Sequence, residues 1–405
     1  MVTAEFNPFT PEARTDPYPM YRELLAHNPV SWNTTFQTWV FTRYADVDAI
    51  LTNQNTSADR RSGSNSFAEM QRKYIEEHPE DLFVRAPTML NSDPPEHTRL
   101  RRLVSKAFTP RAVEALRPRI QSVVDEILDD VAGEDEMDLV QALGYPLPVI
   151  VIAEMLGVPT TDRAKFKKWS DDIVATLGGP FTPQAVLQAA DKARSELVEY
   201  LSGVIEERRK NPQDDLISGL IAAEDEGTVL STQEIYSTTI LLLVAGNETT
   251  THLIDNGMLA LLKNPDQVKI LREDPSLIKS AVEELLRFIG PVQATGRTIK
   301  EDMEIGGQAL KARESTFVIL GAANHDPAKW GDDADKLDVT RNPVDHVGLG
   351  DGIHFCLGAP LARAEAQIAI STLLDRFPKL RLAIDEPEWG GTFIIRGVKS
   401  LPLTF

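Results

Sequence analysis

The sequence predicts a mainly α-helical protein carrying small antiparallel β-sheets. Three observations predict it. Most of the chain from about residue 97 to 290 reads as helices separated by short polar breaks. Aromatic and β-branched residues dominate two segments outside that region, 32–42 and 297–320. The last thirty residues return to strand character. No repeat, low-complexity tract or long linker interrupts the 405 residues, and the 26 prolines are spread throughout, so residues 1–405 are read as a single domain.

Taken in order, the polar segment Met1 to Asp16 carries no targeting pattern. "WNTTFQTWVFT", 32–42, reads as a strand pair. The longest apolar runs, "TTILLLVAG" and "PLPVIVIAEML", fall short of the roughly 20 residues that span a bilayer. Ser231 and Glu234 form a capping box, and no proline follows until Pro265, which allows one helix of about 33 residues, roughly 50 Å long. Its middle, "VAGNETTTH" from Val244 to His252, holds a glycine, a carboxylate and three threonines, poor choices for the central turn of a helix that crosses the molecule. The bland explanation is a threonine-bent core helix with a solvated glutamate. The alternative is a site, because local rules are broken where function requires it. Farther on, Ile278, Ala281, Val282, Leu285 and Ile289 form an apolar stripe, and Glu284 and Arg287 lie off it as a solvated ion pair by spacing alone. Segment 297–320 has a turn at Gly306–Gly307 and a buried "TFVIL". A last helix shows the stripe Ala366, Ile370, Leu373, Leu374 and Phe377.

The net charge of −19 disfavours nucleic acid and anionic lipid as partners. A single cysteine excludes an internal disulfide and any four-cysteine metal site, which fits a reducing cytoplasm. That cysteine lies in "GLGDGIHFCLGAP", Gly348 to Pro360. It could be a small buried hydrophobe, or a nucleophile with His354 as its base. The neighbouring residues suit a third role. Gly350, Gly352 and Gly358 permit a tight loop that approaches a flat ligand, Pro360 opens a helix, and a sulfur at a helix N-terminus is favoured as thiolate. With no second cysteine, a metal held there must bring most of its own ligands, as heme does.

Residues 349–358, "LGDGIHFCLG", resemble the heme-binding loop of the cytochrome P450 family, with Leu349 where phenylalanine is usual. The resemblance implies that family's fold, with heme b between the long central helix and the cysteine loop. It implies that Cys356 is the axial iron ligand and that Leu349, His354 and Gly358 border the cofactor. "DPPEHTRLRR" places His97 and Arg101, and "ATGRTI" places Arg297, as partners of the heme propionates with His354; by spacing alone His97 and Arg101 are equally a basic surface face. "AGNETT" is similar to the oxygen-binding segment: Ala245 and Gly246 leave room above the iron, and Glu248 and Thr249 match its proton-delivering acid–alcohol pair. "EELLR" and "LDVTRNP" match a structural triad, Glu284, Arg287 and Arg341. The implied substrate pocket takes the loop before His97, then Leu241, Val244, Val292, Ala294, Phe393 and Ile394.

The implied activity is a monooxygenase that inserts one atom of O2 into a C–H bond of a hydrophobic small molecule such as a fatty acid, terpenoid or steroid. Electrons would come from a separate ferredoxin-type donor with an NAD(P)H-dependent reductase, since the chain ends soon after the cysteine helix. A peroxide-using peroxygenase and a non-catalytic heme sensor or carrier are the alternatives. Between Arg99 and Arg119 stand seven basic residues against one acid, Glu114: either a chance cluster on a solvated face or a docking patch for an acidic redox protein. A cytoplasmic monomer that binds neither nucleic acid nor membrane completes the expectation.

Overall fold

In the computed structural model the described residues are 5–77, 87–177, 182–222, 224–225 and 228–405. Strands β1 (Val30–Asn33) and β2 (Thr38–Phe41) form the hairpin predicted over 32–42, with Trp32 opposite Trp39. Val40 and Phe41 turn inward and are fully buried. With β3 (Thr56–Ser57), β4 (Ala294–Ile299) and β5 (Ser315–Ile319) they make a five-stranded sheet in the order β1-β2-β5-β4-β3. Its pairings are antiparallel except β5 on β2, which run parallel with Phe317 opposite Val40. Between β4 and β5 lies the predicted Gly306–Gly307 turn, with φ of 61° and 80°. The C-terminal strands include the hairpin β6 (Trp389–Gly391) and β7 (Arg396–Val398).

The principal helices are α1 (Tyr44–Thr52), α2 (Ser66–Glu77), α3 (Glu96–Ser105), α4 (Pro110–Asp129), α5 (Pro146–Leu156), α6 (Arg163–Val174), α7 (Gln184–Lys210), α8 (Thr232–Lys263), α9 (Ile278–Ile289) and α10 (Ala359–Arg376). α8 is the long helix that the sequence predicts. Its capping box is closed both ways: the Glu234 amide donates to Ser231 Oγ at 3.2 Å and the Ser231 amide to Glu234 Oε2 at 2.7 Å. At about 1.5 Å per residue its length is about 48 Å. Every residue from Thr250 to Leu261 is buried, against α5, α6, α9 and α10 among others.

α9 departs from its reading. Glu284 and Arg287, placed off the apolar stripe as a solvated pair, have completely buried side chains. Arg287 donates bidentately to Glu284 at 2.7 Å on both oxygens and also to the carbonyls of Asn324, Ala334 and Lys336. Arg341 Nε reaches Glu284 Oε1 at 3.3 Å, which assembles the expected triad. Its partners lie far along the chain, beyond the reach of helix periodicity.

α10 carries one buried carboxyl with an unsatisfied oxygen, Glu365 Oε2. Burial pushes this carboxyl from 4.5 up to about 8. Between those values the folded chain keeps a proton that the unfolded chain releases, so stability falls as pH rises through that window. Glu365→Gln is therefore expected to raise the melting temperature by about 2 °C or more at pH 8 while changing little near pH 5, as circular-dichroism melts across pH will show.

Candidate active site

The cysteine loop is built by backbone. Gly350 and Gly352 adopt φ of 73° and 66°, and a Cβ at Gly352 would lie 2.6 Å from the Leu51 carbonyl of α1. The amides of Gly350, Phe355 and Cys356 donate to Val347, Gly352 and Leu349 at 2.9, 3.1 and 2.9 Å. Gly358 serves differently: its φ is an ordinary −79°, and a Cβ there would meet the cysteine Sγ at 4.0 Å, so this glycine keeps space open beside the sulfur. Leu349 packs, partly buried, against the main core. Cys356 itself is partly exposed.

Opposing effects act on the sulfur. Burial pushes the Cys356 thiol up, while the Gly358 amide, Arg101, Arg363 and the Ala359 amide pull it down. The helix-terminal amides thus favour the thiolate in the expected direction and burial opposes them; a coordinated metal would add to the amides' pull, because a coordinating thiol is deprotonated outright.

Beside the loop the four predicted nitrogen donors converge. The rings of His97 and His354 lie 4.4 Å apart. Both His97 nitrogens and His354 Nε2 are buried without a hydrogen-bond partner. Arg101, one turn beyond His97, donates to the Phe355 carbonyl at 2.6 Å. Arg297 donates to the Gly296 carbonyl at 2.9 Å. Burial, then Arg297 and His97, drive His354 down to about 3. Burial and Arg101 lower His97. Burial and Arg60 lower Arg297 to about 10. Buried ring nitrogens left without partners, beside Arg101 and Arg297 and with Asp93 opposing them, describe a place that favours an anion. A basic surface face does not describe it, since His97 is only 2% exposed.

α8 shows a gap in its burial. Leu241, Val244, Ala245, Glu248 and Thr249, at i, i+3, i+4, i+7 and i+8, keep partial or full exposure, whereas the following turns are buried. One face of the central helix therefore looks onto open space. Gly246 is turned away from that face: a Cβ there would meet Ile152 of α5 at 3.5 Å. The Thr249 hydroxyl donates to the Ala245 carbonyl at 2.8 Å, the back-bond expected of threonine. Glu248 Oε2 is buried and unpaired.

Sequence reasoning missed two residues. His252 Nε2 lies 3.6 Å from Glu248 Oε1, and both its ring nitrogens are buried and unpaired. It fits because residue 397 is glycine, where a Cβ would stand 1.9 Å from Nδ1. The i+4 spacing from Glu248 was the available signal. Arg60 carries no such signal; it joins Arg297, Phe393 and Ile394 around a cavity of about 150 Å³. Of the other predicted pocket residues, Ala294 faces the core around Tyr21 and Leu24, and Val292 packs on the cluster of Phe41 and Ile50. Strand alternation turns Ala294 away from the side of Thr295 and Arg297. Of the loop before His97, residues 78–86 lie outside the described residues, while Thr88 and Met89 are buried.

The basic run from Arg99 to Arg119 is less basic in space than in sequence. Arg99 pairs with Glu96 and Glu234, and Arg119 with Glu126 and Glu154 at 2.9 and 2.8 Å. Lys106 and Arg111 are exposed.

A flat anionic cofactor with an open metal valence fits these residues: one sulfur, two histidines without hydrogen-bond partners, two arginines, and a central helix with an open face. Among the described residues no helix is long and apolar enough to cross a membrane.

Comparison with known proteins agrees. The cytochrome P450 family model matches residues 39–383. A cytochrome P450 of Priestia megaterium, CYP107DY1, is 44% identical over 375 residues, covering 91% of this chain and 89% of its own. The vitamin D(3) 25-hydroxylase of Pseudonocardia autotrophica is 41% identical, covering 96% and 94%. The solved structure of the myxobacterial cytochrome P450 CYP267B1 in complex with myristic acid superposes with a TM-score of 0.90 at 40% identity, covering 98% of each chain. With its cysteine loop, donor cluster and central helix arranged in this way, the chain belongs to the cytochrome P450 family and is a bacterial-type heme monooxygenase.

Proposed function

We propose that the cofactor is heme b, which Cys356 would hold through its sulfur and His97, Arg101, Arg297 and His354 would hold at its propionates. The observation that carries this reading is the set of buried, unpaired nitrogens on His97 and His354 beside the one cysteine. Ala245, exposed on the open face of α8, would border the cofactor. Leu349 packs beneath the loop and Gly358 leaves the sulfur accessible. When bound, heme supplies the activation of O2 and the insertion of one oxygen atom into a C–H bond.

The chain's residues do the rest. The Cys356 sulfur would donate electron density to the metal of the bound group. Thr249 already spends its hydroxyl proton on the Ala245 carbonyl, so its oxygen is left to accept from a water held over the pocket. Glu248, with one free oxygen, passes protons toward that water. Phe393 and Ile394, with Leu241 and Val244, present apolar surface to a hydrophobic substrate such as a fatty acid, terpenoid or steroid. Relatives named for myristic acid and for vitamin D(3) support that range. Electrons come from a separate ferredoxin with an NAD(P)H-dependent reductase, approaching a face on which Lys106 and Arg111 are exposed. The protein acts as a cytoplasmic monomer.

Turnover with NAD(P)H and surrogate redox partners tests the reading. Product must form in proportion to reductant. Thr249→Ala is expected to consume reductant while product per reductant falls about tenfold or more. Undiminished product from that variant overturns the role of Thr249; product formed only with added peroxide identifies a peroxygenase, and heme binding with no product under either regime a sensor or carrier.

A further inference from the structure

The cavity at Phe393 holds a cation that the reading above does not use. Arg60 follows β3, and its Nη2 reaches Thr295 Oγ1 at 3.4 Å. Arg297 Nη1 approaches the same hydroxyl at 3.5 Å. Two guanidinium groups thus converge on one neutral oxygen. Among the described residues lining this cavity of about 150 Å³ none is acidic, in a protein of net charge −19. No ion pair to Arg60 exists among the described residues. The neighbouring Arg61, by contrast, is paired with Asp59, with Nε at 2.6 Å from Oδ1. Burial lowers the Arg60 guanidinium's affinity for its proton, and no carboxylate offsets it. A partly buried arginine kept beside a second one, with no acid of its own, is costly unless an anion arrives.

The surroundings narrow the anion. Arg297 is assigned to the cofactor, which leaves one positive charge for a ligand. The planar fork of Arg60 matches a carboxylate bidentately. Phe36, Phe67, Phe317 and Phe393 give the wall an aromatic part, beside neutral polar side chains such as Asn65, Gln71 and Thr316. We infer that Arg60 is a substrate-recognition residue, and that the substrate is a monocarboxylic acid with an apolar body, its carboxylate held by Arg60 while the apolar part extends toward the open face of α8. This inference rests on the substrate site proposed above and names its chemical class.

Isothermal titration calorimetry with dodecanoic acid and with its methyl ester tests it, on wild-type, Arg60→Gln and Arg60→Lys holoprotein. Wild type is expected to bind the acid at least about tenfold more tightly than the ester, the scale of one charge-assisted hydrogen bond. Arg60→Gln should abolish that preference and Arg60→Lys retain part of it. Equal affinity of wild type for acid and ester, or an unchanged preference in Arg60→Gln, overturns the inference. So does an Arg60→Gln protein that keeps the preference but surrenders heme faster to apomyoglobin, since Arg60 would then serve the cofactor. The calorimetric preference is read independently of the iron. The reduced carbon monoxide spectrum, recorded on the same samples, reports whether the heme–thiolate assignment itself fails.

Discussion

Cys356→Ser protein is expected to lose oxygenation by on the order of 10³-fold or more, and its reduced carbon monoxide complex to absorb away from the wild-type maximum. The serine oxygen is harder and far less acidic than sulfur, so it does not supply the electron density that favours O–O cleavage. The fold should survive. The loop is closed by the Cys356 amide on Leu349 and by glycine backbone packed on α1, none of which involves the sulfur. Unfolding free energy should therefore stay within about 0.5 kcal/mol of wild type. A retained absorption maximum would remove the sulfur from the metal and the proposed chemistry with it.

The second large effect concerns folding. Arg287→Leu leaves Glu284 buried with its principal partner gone and strips three carbonyls of a donor. Breaking a buried pair from one side costs about 3–5 kcal/mol, a large share of a total of about 5–15 kcal/mol. Little soluble heme-loaded protein is expected, and denaturant melts of what is recovered should show the loss. Arg287→Lys should not restore stability, because a single ammonium cannot serve a carboxylate fork and three carbonyls together. Adding Glu284→Gln to Arg287→Leu should recover part of the loss, since the uncompensated charge is then gone. A wild-type melt for Arg287→Leu would mean that the triad is not structural.

These two sites also mark what the chain discloses locally. The limits of α8 were legible because the capping box and Pro265 act over one or two turns. The cysteine loop was legible because its glycines are demanded by backbone conformation at Gly350 and Gly352. Glu284 and Arg287 were misjudged by periodicity alone because the groups that bury them lie 37 to 57 residues away. The basic run was overread for the same reason: Glu154 and Glu234, which neutralise Arg119 and Arg99, come from other helices. Ala294 went to the core because neighbouring strand residues face opposite ways. Arg60 left no pattern at all and becomes notable through the absence of an acid in a cavity; His252 left only its i+4 spacing from Glu248, and a glycine on β7 makes room for it.

The five-stranded sheet has a consequence for how the protein is made. β1, β2 and β3 end by residue 57, yet the strands that pair with β2 and β3 begin only at residue 294. At about 5–20 residues per second on a ribosome, the interval between the two is on the order of ten to fifty seconds. Throughout it the amino-terminal hairpin has no sheet to join, and Val40 and Phe41 have no β5 to shelter them. The sheet is thus a late event of biosynthesis, closed only once the carboxy-terminal strands have emerged.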